Sequence, residues 1–335
     1  MAVTRANLVM GPARVVFDGA AGVSGSFYTQ DSFEVKINME TFDIMTDAHG
    51  KIDERAQEVS VEFDCTPEGS WTLRNVPGLW PYASSPLGTS IFGTADKYIK
   101  IHCSPDASGE IHTIVAGAIT KMPSLILGAT KTMIGSVTFA GVRAATSDWN
   151  TPSSVYMVSA SGAVFASTST PIVAANIIAQ PYAGFWTTAN GWGSGAATVF
   201  ASGFQTETGW VIDFELGLTN VEVDAKGIID MRVANVGVMA RCIPLGGPTV
   251  NQVLATNKFQ ASGGQRGLSL SDASADLTII GQNAVVPIVL KNAVLKTQGF
   301  RFGSTVLRQG EVGFVSMRGV DATGGLNPLW VMATA

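Results

Sequence analysis

Catalytic raw material is scarce in this chain. Its 335 residues include three histidines and three cysteines, and charged side chains make up only 14%. A metal centre or an acid–base site needs several such groups converging on one point. The nearest approach is His102, Cys103 and His112. His102 and Cys103 are adjacent on an expected strand and would point to opposite faces, so they read as surface residues flanking a hairpin, with no metal. Gly263-Gly264-Gln265-Arg266-Gly267 lacks the lysine and Ser/Thr of a phosphate-cradling loop. No Gly-x-Ser-x-Gly elbow occurs, so serine hydrolysis has no anchor. Glu58, Glu62 and Asp64 stand in an open alternating row, which suits a solvated face better than a carboxylate pair for glycoside cleavage. The reading is not an enzyme, with no cofactor. The longest mainly apolar stretch, 172–179, is too short for a membrane helix. The first ten residues lack the basic-then-apolar order of a secretory signal.

What the chain does have is a repeat. Asp47, Ala48, Gly50, Asp53, Arg55, Val59, Val61, Cys65 and Pro67 return, without a gap, as Asp224, Ala225, Gly227, Asp230, Arg232, Val236, Val238, Cys242 and Pro244. Upstream, Phe33, Val35, Ile37 and Met39 face Trp210, Ile212, Phe214 and Leu216; near the start, Ala6-Asn7 and Pro12 face Ala175-Asn176 and Pro181. Towards the end, Gly135-Ser136-Val137 resembles Gly313-Phe314-Val315. Two copies of one domain are expected, at 1–150 and 172–335, joined by a Ser/Thr/Ala-rich linker at 151–171. A doubled domain invites a ring with twice the apparent symmetry. Cys65 and Cys242 then fill the same buried strand position, so free thiols and a reducing place of synthesis follow.

Each copy reads as mostly β. From Phe33 to Phe42, apolar residues alternate with Glu34, Lys36, Asn38 and Glu40; from Glu58 to Cys65, Val59, Val61, Phe63 and Cys65 alternate with Glu58, Ser60, Glu62 and Asp64. Period-two alternation in neighbouring strands means one packed and one wet face. The wet face is acidic: between Asp31 and Cys65, ten acids meet Lys36, Lys51 and Arg55. In the second copy the wet face is milder, with Asp213 and Glu215 but Arg241 where Asp64 stood. Short helices are expected over 70–81 and 248–259, the latter opened by Pro248. The repeated Asp-x-x-Gly-x-x-Asp-x-Arg segments read as projecting turns, 46–55 and 223–232. Their Asp47, Asp53, Arg55 and Asp224, Asp230, Arg232 are expected to meet a neighbouring ring or subunit.

An alternating strand, an acidic turn, a second strand ending Cys65-Thr66-Pro67, then Pro67-Glu68-Gly69-Ser70-Trp71-Thr72 and a later strand ending Gly135-Ser136-Val137-Thr138-Phe139-Ala140-Gly141-Val142 resemble the tail tube proteins of long-tailed bacteriophages. The resemblance covers nearly the whole chain, twice, as in the duplicated type of T5-like phages. It implies β-sandwich domains, each flanked by a helix, whose inner sheets join into a barrel around a lumen. It implies trimeric, pseudo-hexameric rings stacked into a tube of the virion tail, assembled in the bacterial cytoplasm. The implied partners are the chain itself, a tape-measure protein, tail terminator and baseplate proteins, and double-stranded DNA passing without specific binding. Glu34, Glu40, Glu58, Glu62, Asp64, Asp213 and Glu215 would line the lumen, where like charge keeps phosphates sliding. Two other readings stay open: a baseplate hub or distal ring protein of the same fold, and a carbohydrate-binding module.

Overall fold

The computed structural model describes residues 13–18, 24–29, 33–67, 87–91, 99–103, 110–115, 117–130, 132–141, 155–160, 179–186, 200–223, 227–245, 274–283, 287–302, 307–318 and 328–332. Their secondary structure is almost wholly β, with one 3-10 turn at Phe200–Ser202. Both expected helices, 70–81 and 248–259, lie outside the described residues, as do Asp224 and Trp71.

The strands of the first half are β1 (Arg14–Asp18), β2 (Ser24–Tyr28), β3 (Glu34–Thr46), β4 (Gly50–Cys65), β5 (Ile99–His102), β6 (Glu110–Ile114), β7 (Gly117–Lys121), β8 (Leu125–Leu127), β9 (Thr132–Ile134), β10 (Val137–Gly141) and β11 (Tyr156–Ala160). Those of the second half are β12 (Tyr182–Trp186), β13 (Phe204–Val223), β14 (Gly227–Leu245), β15 (Ala275–Gly281), β16 (Ile288–Phe302), β17 (Leu307–Ser316) and β18 (Trp330–Met332). Three sheets result: β11-β6-β5-β1-β2, then β3-β4-β10-β7, then a nine-stranded sheet running β12-β15-β16-β17-β14-β13-β8-β9 with β18 beside β16. In the last, Ala183↔Gln205 and Gly184↔Phe204 join β12 to β13 and close six strands into a barrel. Closure leaves no edge to pair wrongly over the stretches it joins.

The hairpins β3–β4 and β13–β14 pair in matching register. Glu34↔Asp64 answers to Val211↔Arg241, Glu40↔Glu58 to Gly217↔Asn235, and Thr46↔Gly50 to Val223↔Gly227. Their irregularities coincide too: one follows Glu40 and Gly217, the other Ile44 and Val221. The bridge Thr29↔Pro67 answers to Thr206↔Pro244. Pairing of β10 with β4 sets Phe139 against Phe63, as β17 sets Phe314 against Ala240. Val137 is therefore the counterpart of Val312, three residues from where the sequence match of 135–137 with 313–315 had put it. Short recurring Gly-x-Val strings gave no purchase against a slip of that size.

The halves differ in continuity. Where β2 and β3 are separate strands, β13 runs on for 20 residues, turning at Gly209 (φ 89). Where β6 and β7 are separate, β16 continues through Asn292 (φ 48). Asparagine tolerates that left-handed conformation, and Asp276 Oδ1 accepts its backbone N–H at 3.1 Å. The segment 151–171, read as linker, contains β11, which pairs with β6 as β18 pairs with β16.

The core runs through both halves as one buried cluster that includes Val61, Phe63, Phe139, Leu125, Leu127, Trp210, Ile212 and Phe314. The packed face expected over Phe33–Met39 is only partly packed. Phe33 and Val35 rest against the core, but Ile37 and Met39 are 56% and 62% exposed. Their counterparts Phe214 and Leu216 do pack, Phe214 edge-on against Trp330 at 5.0 Å. The first half has Tyr156 at the place of Trp330, and Tyr156 turns to His112 instead.

Candidate functional site

The expected turns 46–55 and 223–232 are corrected by the pairing. Strand β3 extends to Thr46 and β4 begins at Gly50, leaving Asp47-Ala48-His49 as the turn, closed by His49 N–H to Thr46 O at 3.3 Å. Gly50 takes the positive φ of 68° that ends it. Alternating charge and apolar character does not separate a two-stranded arm from a polar loop, because the arm is exposed on both faces. Asp53 and Arg55 accordingly lie on a strand, bonded to each other at 3.2 Å, as are Asp230 and Arg232 at 3.4 Å. The arm is further tied by Lys51 to Asp43 at 2.6 Å and to Glu54 at 2.9 Å. Bonds from the Thr41 hydroxyl and then from Lys51 hold the Glu54 carboxyl below its usual range.

Asp230 does meet the other half of the chain. Ser90 donates its hydroxyl to Asp230 Oδ1 at 2.6 Å, and Ser90 bridges Arg232 through the backbone. Gly88 N–H reaches Val233 O at 2.7 Å, and Ile91 N–H reaches Met231 O at 2.9 Å. Residues 87–91 of the first half thus lie along β14 of the second. Asp53 and Arg55, at the matching positions of β4, are half or more exposed.

A second seam joins the halves through β8. It leaves β7 after three residues and pairs with β13 as Trp210↔Leu127, Val211↔Ile126 and Ile212↔Leu125. Its contribution is hydrophobic: Leu125, Leu127, Trp210 and Ile212 are all fully buried there. Gly209 permits the approach, since a Cβ on it would stand 2.0 Å from Leu127 O.

The wet face holds Glu34, Lys36, Glu40 and Glu62 exposed and Asp64 half-buried; Glu58 is opposite Glu40 in the register. Lys36 lies 3.2 Å from Glu34 and 3.6 Å from Asp64, and Thr138 donates to Asp64 at 2.5 Å. The bond to Glu34, then its charge, lifts the Lys36 ammonium above its usual value. On the second face, Arg241 binds Asp213 at 2.7 Å and approaches Glu311 at 3.8 Å, while Asn235 donates to Glu215 at 3.3 Å. Asp213 occupies the position of Lys36, and Arg241 that of Asp64. One ion pair therefore stands at the same site in both halves with its polarity reversed. Arg241, which the sequence marked as a departure from acidity, is the cation of that pair. Glu311, which periodicity had not singled out, restores negative charge beside it.

Cys65, Cys103 and Cys242 are free and buried. Burial pushes the Cys103 thiol up to about 11, the Cys65 thiol higher still and the Cys242 thiol well above its usual value, so they are packing groups and poor nucleophiles. His112 is bonded to Tyr156 and lies 3.5 Å from Glu110. Among the described residues no cluster of His, Cys, Asp or Glu could hold a metal ion, and no helix is long and apolar enough to cross a membrane.

The geometry thus offers one exposed acidic sheet face, a second, half-buried one of mixed charge, two seams between the halves, and a projecting arm. Comparison of the chain with protein-family models and with curated proteins matches none, so the functional reading rests on these surfaces.

Proposed function

We propose that this chain is a structural protein of a phage virion, which closes as trimeric, pseudo-hexameric rings and stacks into the hollow tail tube that conducts DNA. The observation that carries the reading is the β8–β13 seam: one half of the chain extends the sheet of the other by strand addition. A ring of such units needs that contact at every step. The matching registers of β3–β4 and β13–β14, down to their irregularities, support two copies of one domain. Rings built from repeated sheets bury the edges that would otherwise pair at random.

The exposed acidic faces suit a lumen. Glu34, Glu40, Glu62 and Asp64 of the first copy and Asp213, Glu215 and Glu311 of the second would face passing DNA, with Glu58 in register beside Glu40. Carboxylates repel phosphates, whereas lysines in their place would release counterions on binding and stall the strand. The arms at 43–54 carry the exposed apolar residues Met45 and Ile52, suited to reaching the next ring. Tape-measure, terminator and baseplate proteins would be its partners in the tail, and no cofactor enters.

Negative-stain electron microscopy of the purified protein tests the reading. Three-subunit rings or hollow tubes with sixfold-looking walls are expected. Isolated rings that never lengthen would favour a hub or distal ring protein, and binding on a glycan array would favour the carbohydrate module. Glu40→Lys with Glu62→Lys is expected to leave ring formation intact and to slow genome ejection from assembled virions. Ejection at the normal rate would remove these residues from the lumen.

A further inference from the structure

The seam between the halves has an unfilled counterpart. Strand β3 corresponds to β13, whose outer edge at Trp210–Ile212 is covered by β8. The matching edge, Phe33–Val35, has no strand beside it among the described residues, because β3 is terminal in its sheet. The chain also carries a second copy of what fills such an edge. In the first half β8 and β9 form a hairpin through Leu125↔Ile134, Ile126↔Met133 and Leu127↔Thr132. In the second half the same pairs recur at the far end of β16–β17, as Phe300↔Gln309, Arg301↔Arg308 and Phe302↔Leu307. The Phe300–Phe302 strand of this hairpin has one edge on β17. Its other edge is unpaired among the described residues, although the same edge of β8 is the one applied to β13.

We infer that the Phe300–Phe302 strand of one chain adds to the Phe33–Val35 edge of β3 in a second copy, in the register Phe33↔Phe302, Glu34↔Arg301 and Val35↔Phe300. This register is the image of Trp210↔Leu127, Val211↔Ile126 and Ile212↔Leu125. The residue chemistry follows the template. Phe302 and Phe300 hold the two positions that are Leu127 and Leu125 in the filled seam, opposite Phe33 and Val35, and the middle pair becomes Glu34 opposite Arg301. Opposite charges across strands favour pairing, and a like-charged pair would oppose it. The bare apolar residues Ile37 and Met39, further along the same strand, mark a face that a neighbour would cover. Ser32 stands where Gly209 does, so the Phe302 carbonyl must keep a greater distance than Leu127 O does, and the contact begins at Phe33.

The contact is heterologous: each copy offers its hairpin to one neighbour and its β3 edge to another. Such head-to-tail contacts close into rings or run into filaments. The same neighbour would bring Asp53 and Arg55 of β4 the contact that Asp230 and Arg232 already receive from 87–91 within the chain. The inference rests on the reading of the chain as two equivalent units and names the joint by which chains would meet.

Cysteine cross-linking of the full-length chain decides it. Directly opposed residues of antiparallel strands lie within disulfide reach, and the native thiols are buried. Full-length Glu34→Cys and Arg301→Cys proteins, mixed and oxidised, are expected to lose their monomer bands to one disulfide-linked dimer joining positions 34 and 301, identified by peptide mass. Neither variant alone should dimerise under the same conditions. If the native protein forms rings by sedimentation and electron microscopy while positions 34 and 301 never join, this register is overturned and ring formation stands. If native chains stay monomeric at all concentrations and no cross-link forms, both the joint and self-assembly fall.

Discussion

Gly209→Val is expected to destabilise the folded chain by roughly 3–5 kcal/mol, adding a strained positive φ to a steric clash. Gly209 has φ 89, and its Cβ would stand 2.0 Å from the Leu127 carbonyl oxygen and 2.7 Å from Gly128 Cα. Both obstacles are backbone, so no side chain can swing aside. A β-branched residue is the worst choice at that φ. Relief would require β8 to leave β13, which uncovers Leu125, Leu127, Trp210 and Ile212 together. Against a usual stability of about 5–15 kcal/mol, the loss should shift the guanidinium midpoint far down, or leave a first transition in which the seam alone opens. Gly50→Ala is the control: its φ is 68, yet nothing lies within 4 Å of the new Cβ. It should cost only the conformational part, about 1–2 kcal/mol. Equal losses for the two variants would show that the seam is not what Gly209 protects.

The second large effect concerns a matched pair of aromatic positions. Trp210 is fully buried, with ring centroids 5.5 Å from Phe204 and 6.3 Å from Phe314. Trp210→Ala is expected to cost about 3–5 kcal/mol, as large-to-small changes in a core do. Phe33, its counterpart, is only partly buried, 5.7 Å from Phe63. Phe33→Ala should therefore cost the isolated chain clearly less, while sharply reducing assembly if β3 is a docking edge. Denaturation curves and sedimentation velocity on both variants read the two effects apart. A Phe33→Ala chain that assembles like the parent would deny the edge any role.

Much of this architecture was legible because period-two alternation is a physical demand. Val59, Val61, Phe63 and Cys65 were expected to face inward together; the last three do, while Val59, nearer the arm, is exposed. The recurrence of Phe33/Trp210 and Cys65/Cys242 located both central hairpins, but with turns several residues too long. The alternation failed where burial stopped. Ile37 and Met39 obey the pattern but stand in the open, since what covers Phe214 in the second half is Trp330, more than 100 residues downstream in the chain. Partners at that separation leave no mark on local periodicity. The long strands β13 and β16 pass through Gly209 and Asn292, whose positive φ bends the strand without ending it. The acidic face was visible as an excess of carboxylates, while the reversed pair Lys36–Asp64 and Arg241–Asp213 was not. Reading it requires knowing that the two positions are neighbours across a hairpin. The sequence also held no sign that β8 leaves its own sheet, because that departure depends on an edge supplied by the other half.

The β8–β13 seam joins two parts of one molecule, and this changes how an assembly of such chains would behave. Strands tethered to each other meet at an effective concentration that dilution cannot lower. In the proposed ring, half of the seams would thus be made during folding, whatever the protein concentration, and only the seams between chains would respond to mass action. Diluted or warmed tubes should come apart into whole chains with their internal seam intact. Growth would be governed by a single kind of encounter, between a hairpin and a bare strand edge.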